Sequence, residues 1–102
     1  MPRLIVLYRP PEDPEAFDAH YRDVHTPIVS RYPNLRDLRV TKLDGVAGRP
    51  SPYYLMAEMV FSSYADLDEA LTSEAGAESA RDVRNFATAG AEMFIAPDEA
   101  DG

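Results

Sequence analysis

The amino-acid sequence predicts an α+β protein with a ferredoxin-like subunit, in which helices cover one face of a four-stranded antiparallel sheet. Strand and helix patterns follow each other in the order β-α-β-β-α-α-β, which is the split βαβ arrangement of that fold. The chain has 102 residues, which is enough for one domain with a single core. We expect this domain to cover residues 1–96 and an acidic, flexible tail to occupy 97–102.

An apolar run and a group of prolines mark the first strand and the turn after it. The segment 3–8 is apolar on both of its alternating faces, as in a strand that is covered on both sides. Prolines at positions 10, 11 and 14 prevent this strand from continuing. Asp13 followed by Pro14 predicts a helix start, with a capping carboxylate and a proline in the first helical position.

The spacing of four apolar residues predicts the first helix. Phe17, Tyr21, Val24 and Ile28 recur at intervals of four, three and four residues, so they should form one buried stripe. Pro27 lacks an amide hydrogen and weakens the last turn. The helix is therefore expected to stop or kink between residues 26 and 30.

The rest of the chain supplies three strands and two helices. They are predicted as strands at 35–43, 53–61 and 92–96, a short helix opened by Ser63 and a helix over about 73–86, with a turn at 32–34 and a glycine- and proline-rich loop at 44–52. Leu67, Ala70 and Leu71 should be buried on the short helix. Asn34 can take the left-handed conformation in the turn.

One face of the predicted sheet has no helix to cover it. The strands at 3–8 and 53–61 nevertheless carry large apolar side chains on both faces. A patch of that size marks an interaction surface. We therefore expect a homodimer in which two sheets pack face to face.

Composition excludes several classes of partner. The net charge is −8 at pH 7 and the pI is about 4.5, which argues against binding to nucleic acid or to an anionic membrane surface. No apolar run approaches the roughly 20 residues of a membrane-spanning helix, and no signal peptide is expected. The chain has no cysteine, so thiolate catalysis and cysteine-based metal sites are excluded. These observations favour a cytoplasmic location.

The segment from Phe17 to Ile28 resembles the EthD family, which is named for ethyl tert-butyl ether degradation and belongs to the dimeric α+β barrel superfamily. The specific feature is an aromatic residue three positions before His20-Tyr21, followed by His25-Thr26-Pro27. Weaker matches continue through segments 33–36, 54–67 and 73–86 and the strand around Met93, so that about nine-tenths of the chain is covered. Asn34 stands where relatives often have glycine.

The resemblance implies a pocket between the helices and the sheet. Relatives with known activity include ring-acting dehydratases and cyclases, lactone isomerases, cofactor-free monooxygenases of the wider superfamily and haem-degrading enzymes. Many family members have no assigned activity. The resemblance therefore implies a fold more strongly than it implies a reaction.

The two histidines are the leading candidates for proton transfer, because the ordinary histidine pKa of about 6.5 lies near neutral pH. On a regular α-helix, His20 and His25 flank the buried stripe and point about 140° apart. This geometry predicts that they neither share a metal ion nor pass a proton directly. His25, at the end of the helix disrupted by proline, is the preferred general acid or base. The alternative is that each histidine is a structural residue at the core boundary.

Glu58 is the third candidate catalytic residue, since it lies in the middle of a strand on an otherwise apolar face. It could serve as an acid–base partner with a raised pKa, or it could form an ion pair with Arg39 or Arg3. The expected ligand-binding side chains are those of Tyr8, Tyr21, Phe17 and Met56.

The sequence thus predicts a small-molecule pocket that works without a bound cofactor and without a metal. Together with the candidate histidines, the family resemblance implies acid–base catalysis on a small aromatic or lactone-like compound, by dehydration, isomerisation or cofactor-free oxygenation. No phosphate-binding loop or nucleophile signature is present. The alternatives are a non-catalytic ligand-binding or stress-related dimeric module and a haem-binding variant.

Overall fold

The computed structural model describes residues 1–98 and confirms the predicted ferredoxin-like order. The strands are β1 (Arg3–Tyr8), β2 (Asp37–Lys42), β3 (Leu55–Val60) and β4 (Ala91–Ala96), and the helices are α1 (Pro14–His20), α2 (Thr26–Val29), α3 (Tyr64–Thr72) and α4 (Glu74–Phe86). A π-helical segment, Tyr21–His25, joins α1 to α2, and a 3-10 turn lies at Val46–Gly48. Asn34 has φ of 65°, the predicted left-handed conformation.

The four strands form one antiparallel sheet in the order β2-β3-β1-β4. In the register of the two central strands, Val6 of β1 pairs with Ala57 of β3 and with Met93 of β4. Alternate residues of β1, namely Leu4, Val6 and Tyr8, are buried, because they face the helices. The core therefore lies between the sheet and one layer of helices.

The first helical segment begins as predicted but continues differently. The Asp13 side chain accepts a hydrogen bond from the amide of Ala16, and Pro14 occupies the first turn. The single α-helix that was expected is instead interrupted by the π-helical segment, in which the amide of Thr26 donates to the carbonyl of Tyr21, five residues earlier. Pro27 explains this change, because proline donates no hydrogen bond and its ring crowds the carbonyl four residues before it.

The widened turn changes which side chains face the core. Val24 was predicted to belong to the buried stripe, and this prediction is wrong, since its exposed fraction is 43%. His25 takes its place and is buried. Ile28 and Val29 of α2 are also buried, so the helix still packs along its whole length. The π-helical segment thus puts a histidine, and not a valine, against the sheet.

A sharp corner joins α3 to α4 and positions the second helical wall of the core. The Ser73 hydroxyl donates to the carbonyl of Ala70 and accepts from the amide of Gly76, so one side chain caps both helices. A Cβ at Gly76 would lie 2.4 Å from the Ala70 carbonyl oxygen, which only glycine avoids. Leu71 was predicted to be buried, but it is exposed at this corner.

The face of the sheet turned away from the helices is apolar at its centre. Ile5, Leu7 and Met56 lie there half-buried, next to Phe94 of β4, whose exposed fraction is 52%. No helix within residues 1–98 packs over this face. The predicted tail begins at Pro97, and its residues 99–102 lie outside the described part of the chain.

Candidate active site

A carboxylate at the edge of the core is shared by both histidines. Asp82 of α4 lies with Oδ1 at 2.8 Å from Nε2 of His20 and with Oδ2 at 2.9 Å from Nδ1 of His25. The amide nitrogen of Asn85 donates to the same Oδ1 at 3.2 Å. The exposed side-chain fractions are 7% for Asp82, 3% for His25 and 28% for His20. The three groups therefore form a chain from the closed core to the surface.

The prediction that His20 and His25 point in divergent directions is wrong. It assumed a regular α-helix, in which residues five apart lie well over a full turn from each other. In a π-helical turn the hydrogen bond joins residues five apart, so these residues lie almost one above the other. Both imidazoles consequently reach the same carboxylate on α4.

Aromatic rings fix the positions of the two imidazoles. The Phe86 ring lies 4.9 Å from the ring of His20 and 4.9 Å from the ring of His25, measured between centroids. Tyr21 packs on His25 with a centroid distance of 5.4 Å. Tyr8 contacts Tyr21 edge-on and contacts Phe86 with the two ring planes tilted by 37°. Such packing restricts the rotation of the imidazoles and keeps their nitrogens aimed at Asp82.

A cavity of about 110 Å³ lies beside His25, between the helices and the sheet. Its walls are mostly aliphatic, and its polar side chains are those of His25, Tyr8, Tyr21, Tyr32 and Ser79. The lining contains no lysine, arginine, aspartate or glutamate. The cavity is therefore suited to a neutral molecule that makes a few hydrogen bonds.

Burial and the shared hydrogen bonds set the charge of this group. Burial lowers the pKa of His25, and this effect outweighs the opposing effect of the Asp82 carboxylate. Burial alone would raise the pKa of Asp82, but hydrogen bonds from His20, His25 and Asn85 together lower it. Burial also raises the pKa of Tyr8 and Tyr21 well above the ordinary tyrosine value. At neutral pH Asp82 is thus an anion, and both tyrosines are protonated hydrogen-bond donors.

The anionic state of Asp82 determines the tautomer of His25. An ionised carboxylate only accepts hydrogen bonds, so Nδ1 of His25 must carry the proton that it donates. In the neutral ring Nε2 then has a free lone pair. Nε2 has no hydrogen-bond partner within residues 1–98, and His25 lines the cavity. This is the arrangement in which a carboxylate orients a histidine for proton transfer.

The other predicted site residues occupy three different places. Tyr8 and Tyr21 line the cavity, as expected. Phe17 is buried against Tyr8 and Phe86 and borders a separate outer groove beside His20. Met56 and Glu58 lie on the opposite face of the sheet, since their neighbours Leu55, Ala57 and Met59 face the core.

Glu58 forms the ion pair with Arg3 that was one of its two interpretations. Its Oε2 lies 2.7 Å from Nη1 of Arg3. Because the sheet separates this pair from the cavity, the structure does not bring Glu58 together with His25. The carboxylate that contacts His25 is that of Asp82.

Asp82 is the residue of the candidate site that the sequence did not predict. Its position was visible in the spacing, because Asp82 follows Ser79 by three residues and precedes Phe86 by four on the inward stripe of α4. A carboxylate on such a stripe requires a partner. The partners are the two histidines, and they can both reach Asp82 only because of the π-helical turn.

Two further properties concern the described residues as a whole. No group of three or more histidine, aspartate or glutamate side chains within residues 1–98 is arranged to hold a metal ion. No helix in this range is both long enough and apolar enough to cross a membrane.

Comparison with known proteins identifies the family. The model of the EthD domain matches residues 9–90. The chain belongs to the EthD family. An EthD family protein of known structure from Bacillus halodurans is 36% identical, with 97% of this chain and 99% of that chain covered and a TM-score of 0.91. An uncharacterized 11.0 kDa protein from the thcB-thcC intergenic region of Rhodococcus erythropolis is 36% identical over 99 residues, which cover 97% of this chain and 96% of that protein.

More distant structures share the fold of this EthD chain. An EthD-like protein from Ralstonia eutropha is 25% identical, with 93% and 88% of the two chains covered and a TM-score of 0.75. SnoaB from Streptomyces nogalater, described as a cofactor-independent oxygenase, is 12% identical, with coverage of 98% and 94% and a TM-score of 0.71. A dimeric ferredoxin-like protein from Thermobifida fusca is 13% identical, with coverage of 94% and 89% and a TM-score of 0.63.

Proposed function

We propose that this EthD protein binds a small neutral molecule in the cavity and transfers a proton to or from it through Nε2 of His25. The observation that carries the proposal is the 2.9 Å contact between Nδ1 of His25 and Asp82, which leaves Nε2 unpaired beside the cavity. Asp82 orients the ring and stabilises the imidazolium that forms when Nε2 accepts a proton. The hydroxyls of Tyr8 and Tyr21 line the cavity and could donate hydrogen bonds to an oxyanion that forms on the substrate.

The reaction class follows from which groups surround the ligand. One base with adjacent hydroxyl donors is suited to removing a proton next to a carbonyl or from a phenol, a step common to dehydration, isomerisation and cofactor-free oxygenation. The fold shared with SnoaB is consistent with the last of these. The absence of charged side chains from the lining favours a neutral aromatic or lactone-like substrate.

The size of the site limits the substrate. An apolar cavity of about 150 Å³ holds one benzene ring, so the inner space of about 110 Å³ accepts at most a small ring or a short polar group. Leu4, Leu71 and Met93 also border an open apolar basin formed with Phe94 and Ile95. A larger substrate would leave its apolar part in this basin. Haem is far larger than the inner cavity, so the haem-binding alternative has no support here.

The working unit in this proposal is a homodimer formed through the uncovered sheet face. The half-buried residues Ile5, Leu7 and Met56 and the exposed ring of Phe94 supply an apolar surface there. The dimeric protein from Thermobifida fusca shares the fold. Because the inner cavity lies on the other face of the sheet, such a dimer does not cover it, although the partner would close the Phe94 side of the basin.

Two simple probes test binding and proton transfer separately. Phenol should shift the NMR signals of His25 and Met59 in the wild-type protein, and Ser79→Leu, which fills the cavity, should abolish these shifts. 5-Nitrobenzisoxazole is a neutral bicyclic compound whose isoxazole ring opens, with cleavage of the N–O bond, as a base removes its one C3 proton. Its isoxazole edge would enter the inner cavity, and its larger nitrobenzene part would lie in the basin. The wild-type protein should accelerate this opening, and His25→Gln should lose about 10²-fold or more of the effect, as is typical of a general base.

Arg22→Gln is the matched control, because Arg22 lies on the same helical segment, is exposed and contacts its neighbour Asp23. This variant should keep both binding and acceleration. If phenol binds while His25→Gln and the wild-type protein open the ring equally fast, the acid–base proposal is wrong. The protein would then be a non-catalytic ligand-binding module.

A further inference from the structure

The two imidazoles that share Asp82 face different surroundings. His25 borders the inner cavity and is almost fully enclosed. His20 borders an outer groove of about 300 Å³, on the other side of Phe86, and this groove is open to solvent. The groove is lined by Pro11, Glu12, Asp13, Ala16, Phe17, His20, Asn85, Phe86 and Thr88. Asp82 therefore connects an enclosed base to a solvent-exposed one.

A single negative charge cannot serve both rings independently. When His20 is protonated, its hydrogen bond to Oδ1 neutralises part of the charge that holds the proton on His25. The positive charge of His20 also repels a proton on His25 directly, and this repulsion lowers the pKa of His25. Protonation of the outer ring should thus weaken the inner ring as a base.

Within residues 1–98, Asp82 is the one charged side chain that contacts both rings. His25 shares the cavity with Tyr8 of β1, with Tyr21 and with Tyr32, all of which are neutral at physiological pH. His20 shares the outer groove with Glu12 and Asp13, and Asp13 caps α1. Arg22 is turned to Asp23. The two histidines are therefore coupled through the carboxylate, in addition to the direct repulsion between their charges.

We propose that His20 is a positioning residue. Through Asp82, it makes the proton affinity of the enclosed His25 depend on whether the His20 ring at the outer groove is protonated. The inference rests on the proposed function only for its consequence, since it is His25 that would transfer the substrate proton. Its physical content is the coupling of two titrating rings through one carboxylate. A fall in the solvent pH would therefore weaken His25 as a base by protonating the exposed His20.

NMR titration of the two imidazole rings tests the coupling without any substrate. In the wild-type protein the ring signals of His25 should respond in two steps, one at each midpoint. In His20→Gln the amide can still donate to Asp82 but does not titrate, so His25 should show one step with a higher midpoint. His20→Ala should also raise the midpoint. Asp82→Asn should shift it in the opposite direction, because it removes the charge that favours protonated His25.

Arg22→Gln again supplies the control for a general loss of positive charge from the same helical segment. Its His25 titration should match that of the wild-type protein. If His20→Gln and the wild-type protein give the same one-step curve, or if Arg22→Gln shifts the midpoint as much as His20→Gln does, the coupling does not exist. If the coupling is present but ring opening of 5-nitrobenzisoxazole does not depend on His25, this inference stands and the proposed function fails.

Discussion

Asp82 accepts hydrogen bonds from His20, His25 and Asn85, which explains how a carboxylate can lie at a nearly buried position of α4. Removing one partner from such a group leaves charge without compensation, whereas each hydrogen bond to a charged group contributes about 1.5–3 kcal/mol. The group is therefore both a structural link between two helical segments and the electrostatic support of His25.

Acidification should destabilise the protein through His25. Because folding lowers the pKa of His25 below the ordinary value of 6.5, the unfolded chain binds a proton there that the folded chain does not bind. The free energy of unfolding should therefore decrease as the pH falls through about 6.5, and the decrease should end below the folded pKa. Urea unfolding at about pH 7.5 and about pH 5.5, on either side of the ordinary histidine pKa, measures this change.

His25→Gln is the comparison variant, and it should show a smaller loss of stability between the two pH values than the wild-type protein. Asp82 does not contribute to this window, because its pKa is lowered from 3.8 and it stays ionised throughout. An equal or larger loss in His25→Gln would show that folding does not depress the pKa of His25.

At the level of single residues, the sequence predicted the side chains that line the cavity but not the carboxylate that holds His25. His25, Tyr8 and Tyr21 were predicted and lie at the cavity. Glu58 was chosen for its unusual place on an apolar strand face, but alternation along β3 turns it away from the helices. The register alone would favour Arg39, which lies on β2 directly opposite Glu58. Arg39 instead pairs with Asp37, and Glu58 pairs with Arg3, so only the side-chain positions settle the choice.

At the level of elements, the π-helical segment decides whether the site exists. It adds one residue to a helical turn, and this extra residue brings His25 under the same carboxylate as His20. Periodicity arguments assume a uniform turn, so the sequence placed Val24 in the core and separated the histidines. Proline was read correctly as a disruption, but its effect is a wider turn before it and not a helix end at it.

Deleting Arg22 should convert the π-helical turn into an α-helical one without loss of the site. After the deletion, His20 and His25 would be four residues apart on a regular helix, which places them on one face. Both contacts with Asp82 should survive, and the free energy of unfolding should change by less than about 1 kcal/mol, as for an exposed position. Urea unfolding, together with the NMR signals of both imidazoles, measures the result.

Deletion of Arg84 provides the matched control, because it also removes an exposed arginine but from the regular helix α4. That deletion rotates Phe86 out of the core by about 100°. A loss of about 3 kcal/mol or more is expected, similar to the removal of a buried phenylalanine side chain. If both deletions lower the free energy of unfolding equally, the π-helical turn does not contain an extra residue that can be removed without loss of the fold.

For the whole molecule, the element order and both-face apolar strands were sufficient to predict the sheet and its helical layer. The strand ends were less accurate, since β2 covers Asp37–Lys42 and β3 covers Leu55–Val60 within longer predicted ranges. The presence of a pocket was expected, but its size could not be predicted, because the cavity is the space left after Tyr8, Tyr21 and Met59 have packed. The volume left between packed side chains depends on their three-dimensional positions, which the hydrophobic pattern of the sequence does not give.

A charge placed on the uncovered sheet face should separate the proposed dimer. The wild-type chain should sediment at about twice the monomer mass of 11.4 kDa, and Leu7→Asp should sediment as a monomer, because a dimer would bury two unpaired carboxylates. Val24→Asp alters an exposed apolar residue on the helical side and should leave the mass unchanged. A monomeric wild-type protein would contradict the proposed interface.

The tautomer of His25 decides whether the proposed site can work, because proton transfer at the cavity requires an unprotonated Nε2 there. Two-bond ¹H–¹⁵N correlation spectra of the wild-type protein at neutral pH distinguish the two ring nitrogens. We predict that Nδ1 carries the proton, that Nε2 carries none, and that addition of phenol shifts the Nε2 signal. A His25 ring with its proton on Nε2 would contradict the proposed site.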